Sequence, residues 1–269
     1  MTKVRALATT LVALLATAAT AQEVTFKDPL GDDKGPGTYT YPTDPVYTPG
    51  SFDLKALKIK KSGGKVDFDV TMGAKLEDPW GMGVGFAVQM IFVFIDTGDK
   101  GAKHFTEGLP GLNVAFEPDS AWDRVVILSP QSAGRVKSEV GMKAAAFKDA
   151  VIVPTRTRGS NFTISASVDA AALGGGDPTT WGVQVVVQSN EGFPAPTDLL
   201  TRKVNEYEGQ HRFGGGNDGD CDPHVVDVLA GKGAGAPEEA DEQYKMLAYQ
   251  CNQDGTSKQK ATLKLIRRP

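Results

Sequence analysis

Residues 28–42, DPLGDDKGPGTYTYP, place three carboxylates, Asp28, Asp32 and Asp33, within six residues, with Gly31, Gly35, Gly37, Pro29 and Pro36 threaded among them. Carboxylates this close repel one another unless a cation or a set of hydrogen-bond donors neutralises them. Ca2+, which seeks oxygen ligands, answers the first need. Asx-turns, in which an Asp side chain accepts nearby backbone N–H groups, answer the second. Gly permits positive φ and Pro fixes φ, so either solution sits in a loop. Asp28, Asp32 and Asp33 are therefore candidate ligands of a calcium-type ion, with turn caps as the plain alternative. A second acidic run, RFGGGNDGDCDPH (212–224), alternates Asp218, Asp220 and Asp222. Its sixth position is Pro223 rather than Gly and its twelfth is Leu229 rather than Glu, which excludes an EF-hand. Asp218 and Asp220 remain candidates for a different calcium loop, set against a solvated acidic turn anchored by Cys221.

Catalytic patterns are missing from the sequence. There is no G-x-S-x-G elbow, no H-E-x-x-H and no P-loop, and His104, His211 and His224 are widely spread. No carboxylate pair is marked out for glycoside hydrolysis, so the chain is read as non-enzymatic. Three Trp residues carry the binding chemistry instead. Trp80 lies in the turn-rich DPWGMG (78–83), Trp122 in SAWDR (120–124), and Trp181 opens WGVQVVVQ. A Trp ring in a loop offers a flat apolar face on which a sugar ring docks. Trp80 and Trp122 are thus candidate glycan contacts, with Asp78 and Asp123 as acceptors for sugar hydroxyls; core packing is the alternative for each ring.

The first 21 residues carry Lys3 and Arg5, an apolar run from Ala6 to Ala16, and an Ala19-Thr20-Ala21 cleavage signal. This reads as a secretory signal peptide with the mature chain beginning near Gln22. The apolar run is too short to span a bilayer, and no membrane span is expected elsewhere. Export to the periplasm or the extracellular space follows. Without the leader the chain keeps 27 basic against 33 acidic residues, a net charge of −6, which argues against a nucleic-acid partner. The only two cysteines, Cys221 and Cys251, are expected to form a disulfide in an oxidising compartment. The bridge clamps a loop that includes GKGAGAPEEADE (231–242), a stretch too polar and Gly-rich to order itself by burial.

Positioning falls to strands. KVDFDVTM (65–72) alternates apolar Val66, Phe68 and Val70 with Asp67, Asp69 and Thr71, and FDLKALKIKK (52–61) does likewise, the signature of half-buried antiparallel strands. VGFAVQMIFVFID (84–96) is apolar at nearly every position and reads as central and covered on both faces. WDRVVILS (122–129), AVIVP (150–154), NFTISASV (161–168), WGVQVVVQ (181–188), YKMLAYQC (244–251) and KATLKLI (260–266) complete the set. Helical signals are confined to 140–150 and one turn over 168–174 ending at Gly174. The sum predicts an all-β, antiparallel β-sandwich of immunoglobulin-like or jelly-roll type with short helical turns. It forms a single domain over 22–269, with a flexible loop at 231–242 and a C-terminal hairpin over 244–266.

The stretches DPLGDDKGPGTYTYPTDPVYTPGSFDL (28–54), DPWGMG (78–83), VFIDTGD (93–99), LPGLN (109–113), WDR (122–124) and RFGGGNDGD (212–220) occur together and in this order. On these segments the mature chain resembles the glucodextranase C-terminal domain family, a DOMON-like relative of family-nine carbohydrate-binding modules. The resemblance implies a β-sandwich and carbohydrate or cell-surface binding rather than catalysis. It also implies polysaccharide or cell-wall glycan as ligand, with a separate glycoside hydrolase as companion. A structural or interaction sandwich without a sugar site is the competing reading; the DOMON likeness further implies, as a third reading, a haem-binding electron-transfer module with Met82 and Met90 as candidate axial ligands.

Overall fold

The computed structural model describes residues 22–268; the leader expected over residues 1–21 lies outside them. The strands are β1 (Gln22–Lys27), β2 (Leu54–Ser62), β3 (Lys65–Met72), β4 (Gln89–Asp96), β5 (Val114–Phe116), β6 (Arg124–Leu128), β7 (Val151–Ile152) and β8 (Thr157–Ser160). They continue with β9 (Thr163–Asp169), β10 (Gly182–Ser189), β11 (Asp227–Val228), β12 (Gln250–Cys251), β13 (Ser257–Gln259), β14 (Ala261–Leu263) and β15 (Ile266–Arg267). Two α-helices interrupt them, α1 (Ala133–Lys143) and α2 (Ala240–Met246).

The period-two pattern of KVDFDVTM is realised directly in β3, where Val66, Phe68, Val70 and Met72 are buried and the residues between them are half-buried. β3 pairs antiparallel with β2 on one side and β9 on the other. Ser62 faces Lys65 across the two-residue Gly63–Gly64 turn, with Gly63 at φ 59°, as a tight hairpin requires. The first sheet runs β1-β2-β3-β9-β8, and the second runs β11-β10-β4-β6-β7 with β15 also on β10. The all-β sandwich read from the sequence is the observed architecture.

β4 explains the layering. Ile91, Val93 and Ile95 enter the core between the two sheets, beside Phe68, Ile59 and Val185. Met90, Phe92 and Phe94 point the other way, into a second core with Trp122, Val136 and Val140. A strand covered on both faces needs an unbroken apolar run, which is what its sequence supplies. Helix α1 closes the second core; Ser132 caps it by accepting from the Arg135 N–H at 3.3 Å, which satisfies one of the orphan donors of a helix start.

Several boundaries differ from the sequence reading. β4 starts at Gln89 rather than at 84, because Gly85 adopts φ 84° and passes against Gly159, whose carbonyl oxygen would lie 2.3 Å from a Cβ at position 85. The helix expected over 140–150 sits at Ala133–Lys143, its signal diluted by Gly134 and Gly141. YKMLAYQC is mostly not a strand: α2 occupies its first half, with Gln243 and Met246, three apart, both buried, a helical spacing. The C-terminal hairpin over 244–266 reduces to β12 on β13, while β14 pairs parallel with β5 and β15 joins β10. The 231–242 loop is organised by one side chain. Glu239, 7 % exposed, accepts from the N–H groups of Lys232, Ala234, Gly235 and Ala236.

Candidate functional site

The Asp28–Asp33 loop turns back at Gly31, Gly35 and Gly37, all at positive φ. At Gly35 a Cβ would fall 2.2 Å from the Tyr39 ring, so both conformation and space demand glycine. The turn buries its acids. Asp28, Asp32 and, from the far end of the chain, Asp227 on β11 bring carboxylate oxygens within 4.8 Å of one another. Asp28 Oδ1 accepts from the Ala230 N–H at 2.9 Å, and Asp227 Oδ2 from the Leu54 N–H at 2.6 Å. Asp28 Oδ2, both oxygens of Asp32 and Asp227 Oδ1 are buried without a partner. Asp53 stands beside the group and accepts the Gly31 N–H on both oxygens at 3.0–3.1 Å. Burial raises all four carboxyls: Asp32 to about 6 with help from Asp33, Asp53 to about 7 with Asp33 again contributing. Asp28 and Asp227 lie well above the usual carboxylate range, pushed up next by Asp32 and by Asp28 respectively. Asp28 and Asp32 also line a cavity of about 540 Å3 with Lys27, Leu30, Lys55 and Tyr244.

The structure thus joins Asp28 and Asp32 and sends Asp33 elsewhere. Asp33 accepts a hydrogen bond from the Tyr41 hydroxyl, and that hydroxyl accepts from the Phe52 N–H at 3.2 Å. Asp227 and Asp53 were not singled out from the sequence. Asp227 stands in DPHVVDVLA, where an acid between valines is the one signal of a buried, structurally held carboxylate. Asp218 and Asp220 do not converge. Asp218 accepts the Glu206 N–H at 3.0 Å, and the exposed Asp220 pairs with Lys203. Their neighbour Asp222 turns inward instead, fully buried against Tyr39 and 3.8 Å from His224 Nδ1, with Oδ1 unpartnered.

The tryptophans separate by environment. Trp80 is 38 % exposed and heads an aromatic group with Tyr47 and His211, ring centroids 6.2 and 6.4 Å away. The Arg202 guanidinium lies 5.9 Å from its ring centre, in cation–π range. Arg202 is itself fixed by Glu191 at 2.8 Å, the Tyr47 hydroxyl at 2.6 Å and the His211 carbonyl at 2.6 Å. Asp78 caps the turn that presents Trp80, accepting from the N–H groups of Met82 at 2.7 Å and Gly83 at 2.8 Å. Trp122 is fully buried, packed on Phe94, Phe105 and Phe147, with its Nε1–H given to the Glu107 carbonyl at 2.9 Å. It therefore lines no exposed surface: SAWDR enters β6 at the edge of the second core, and the apolar ring follows it in. Asp123, also fully buried, accepts from Thr97 N–H and Oγ1–H at 3.2 and 2.6 Å and offers nothing to a sugar. Trp181 is 1 % exposed, and Met90 is buried in the second core. Cys221 and Cys251 form the expected disulfide.

The two sheets thus present one half-exposed tryptophan, Trp80, on a turn held by Asp78. The family model described as the C-terminal, SLH-like binding module of glucodextranase matches residues 24–265, and the chain belongs to that family. The family is a binding module, not a catalytic domain. No curated protein matches the chain. No helix among the described residues is long and apolar enough to cross a membrane.

Proposed function

We propose that this chain is a secreted, non-catalytic module that attaches to polysaccharide or cell-wall glycan through the surface headed by Trp80, beside a glycoside hydrolase. The observation that carries the reading is the ring itself. Trp80 is the one exposed tryptophan among the described residues, and its backing is rigid. Tyr47 is buried beneath it, Arg202 has three fixed partners, and the Asp78-capped turn holds the backbone. A ring already immobilised loses little entropy when a pyranose stacks on it. The family match adds its weight as a binding module. Asp78 serves this surface as a turn cap, with one backbone N–H on each oxygen, and its remaining lone pairs are free to accept from a sugar hydroxyl.

The test is retention on insoluble α-glucan, β-glucan and purified cell wall, with and without Trp80→Ala. The intact protein should stay on at least one matrix, and the variant should pass through while keeping a cooperative melt. Failure of the intact protein to bind any of them, or binding unaltered in the variant, would overturn the reading.

A further inference from the structure

We propose that Asp28, Asp32 and Asp227 hold a divalent, oxygen-seeking cation, with Ca2+ as the ion that fits. The three side chains are 4, 1 and 0 % exposed, and four of their six carboxylate oxygens are buried with no partner. A buried polar atom without a partner is rare in a folded protein and points to a missing one. No ion pair among the described residues reaches Asp28, Asp32, Asp53 or Asp227. The chain therefore brings three like charges together out of water and supplies no cationic side chain in contact with them.

The hydrogen bonds show what the missing partner is. On Asp28 and Asp227 one oxygen is tied to a backbone N–H and the other is left free. This is how a ligating carboxylate is oriented: the outer bond fixes it and the inner oxygen binds. Protons alone would not complete the site. A protonated carboxyl needs an acceptor, and both oxygens of Asp32 lack a partner in either role. An all-oxygen set without His or Cys suits a hard cation rather than zinc. Ligand oxygens on opposite sides of a Ca2+ stand roughly 4.6–5.2 Å apart at ordinary Ca–O lengths, which accommodates three oxygens all within 4.8 Å of one another. The adjoining cavity lined by Asp28 and Asp32 offers a path in.

The ligands also say what the ion does. Asp28 and Asp32 follow β1, in the first sheet, and Asp227 is on β11, in the second. Asp227 also accepts the N–H of Leu54, the first residue of β2. One ion at this point ties both sheets and the acidic loop together, so it acts as a clasp on the fold and not as part of the Trp80 surface.

The experiment is elemental analysis and thermal melting of the mature protein, equilibrated with CaCl2 and then desalted or treated with EGTA. Intact protein should retain a single Ca2+ per chain, melt several degrees lower after EGTA, and recover on added CaCl2 but not on equal MgCl2. Asp32→Asn and Asp227→Asn should lose both the bound ion and the response to CaCl2. Asp33→Asn and Asp220→Asn, outside the cluster, should keep them. If Asp227→Asn fails to fold, Asp32→Asn alone carries the comparison. Trp80→Ala should retain ion and response, which separates a failure here from a failure of the glycan reading. No bound Ca2+ together with a melt indifferent to EGTA and CaCl2, or an unchanged calcium response in Asp32→Asn, would overturn the proposal.

Discussion

The pair Asp222 and His224 makes the pH dependence of stability a quantitative test of the fold. Both are buried, at 0 and 2 % exposure. Burial raises the Asp222 carboxyl to about 7 and lowers the His224 imidazole to about 4. His224 Nδ1 accepts the Val204 N–H at 3.3 Å, so the neutral ring carries its proton on Nε2, and its 3.8 Å approach to Asp222 is not an ion pair at neutral pH. The signs then follow from proton counts. Between the ordinary Asp value and about 7, folded Asp222 holds a proton that the unfolded chain has lost, so stability falls as pH rises. Between about 4 and the ordinary His value, the unfolded chain holds a proton that folded His224 lacks, so stability rises with pH.

At about 1.4 kcal/mol per pH unit, the Asp222 effect amounts to about 4 kcal/mol over its window and the His224 effect to about 3 kcal/mol in the opposite direction. The two offset each other over most of their shared range, and each variant unmasks the other group. Urea unfolding at half-unit steps from pH 4 to 7.5 measures this. Differences from the intact protein cancel the background of all other titrating groups. Asp222→Asn should gain on the intact protein by about 4 kcal/mol as pH rises across the window, and His224→Gln should lose by about 3 kcal/mol. A difference that stays flat within about 1 kcal/mol in Asp222→Asn would refute the assignment of a buried, protonated carboxyl.

Trp122→Ala should lower stability by about 3–5 kcal/mol, read as a fall in the urea midpoint, because a fully buried ring leaves a cavity; a midpoint near that of the intact protein would mean the ring is not in the core. Removing the disulfide by Cys221→Ala with Cys251→Ala frees a loop spanning 30 residues in sequence and should cost about 4 kcal/mol on the chain-entropy account. In a domain of this size that is a melting temperature lower by roughly 10 °C, and a calorimetric melt unshifted by the double change would count against the bridge as a stabiliser.

How much of this was legible in the sequence depends on how local the cause is. β3 was readable to the residue because alternation on a half-buried sheet is a local property of KVDFDVTM. The two-faced burial of β4 was readable because Met90, Ile91, Phe92, Val93, Phe94 and Ile95 are apolar in succession, and β-branched and aromatic residues in a run of strand length favour a strand covered on both sides. Its start was not, since the break at Gly85 comes from contact with Gly159, 74 positions away. α2 was misread because apolar residues at Met246 and Leu247 suit either state, and the burial of Gln243 that decides for helix depends on Asp32 and Val228. The same distinction runs through the sites. Asp28 and Asp32 announced themselves by proximity in sequence. Asp227 joined them from about two hundred residues away, and an isolated acid among valines carries no distance information. Trp80 and Trp122 both stand at strand ends among turn residues, so sequence context gave them the same prospects. What separates them is the second core, in which Phe94, Phe105 and Phe147 close over one ring and leave the other open.

Those long-range partners converge on one segment. Gln243, on α2 within the disulfide loop, donates to the Asp32 carbonyl and accepts from the Val228 N–H at 2.9 Å. Glu239, one turn earlier, gathers four backbone N–H groups, and the Gly233 carbonyl they help to place accepts from the Lys27 N–H at 2.8 Å. Within the disulfide loop the segment from Gly231 to Lys245 is polar, and none of its apolar side chains is buried. Its order therefore rests on directional bonds to the acidic loop and on the buried apolar residues that flank it, Leu229 and Ala230 before and Met246 and Leu247 after. A polar network of this kind is stable only when every member is satisfied, because an unpaired buried carboxylate destabilises more than a paired one stabilises. The orphan oxygens of Asp28, Asp32 and Asp227 are thus the weak point of an otherwise closed network. Filling them would stabilise more than the acidic loop: through Gln243 it would hold α2, and through the Asp227 bond to Leu54 it would hold the two sheets in register.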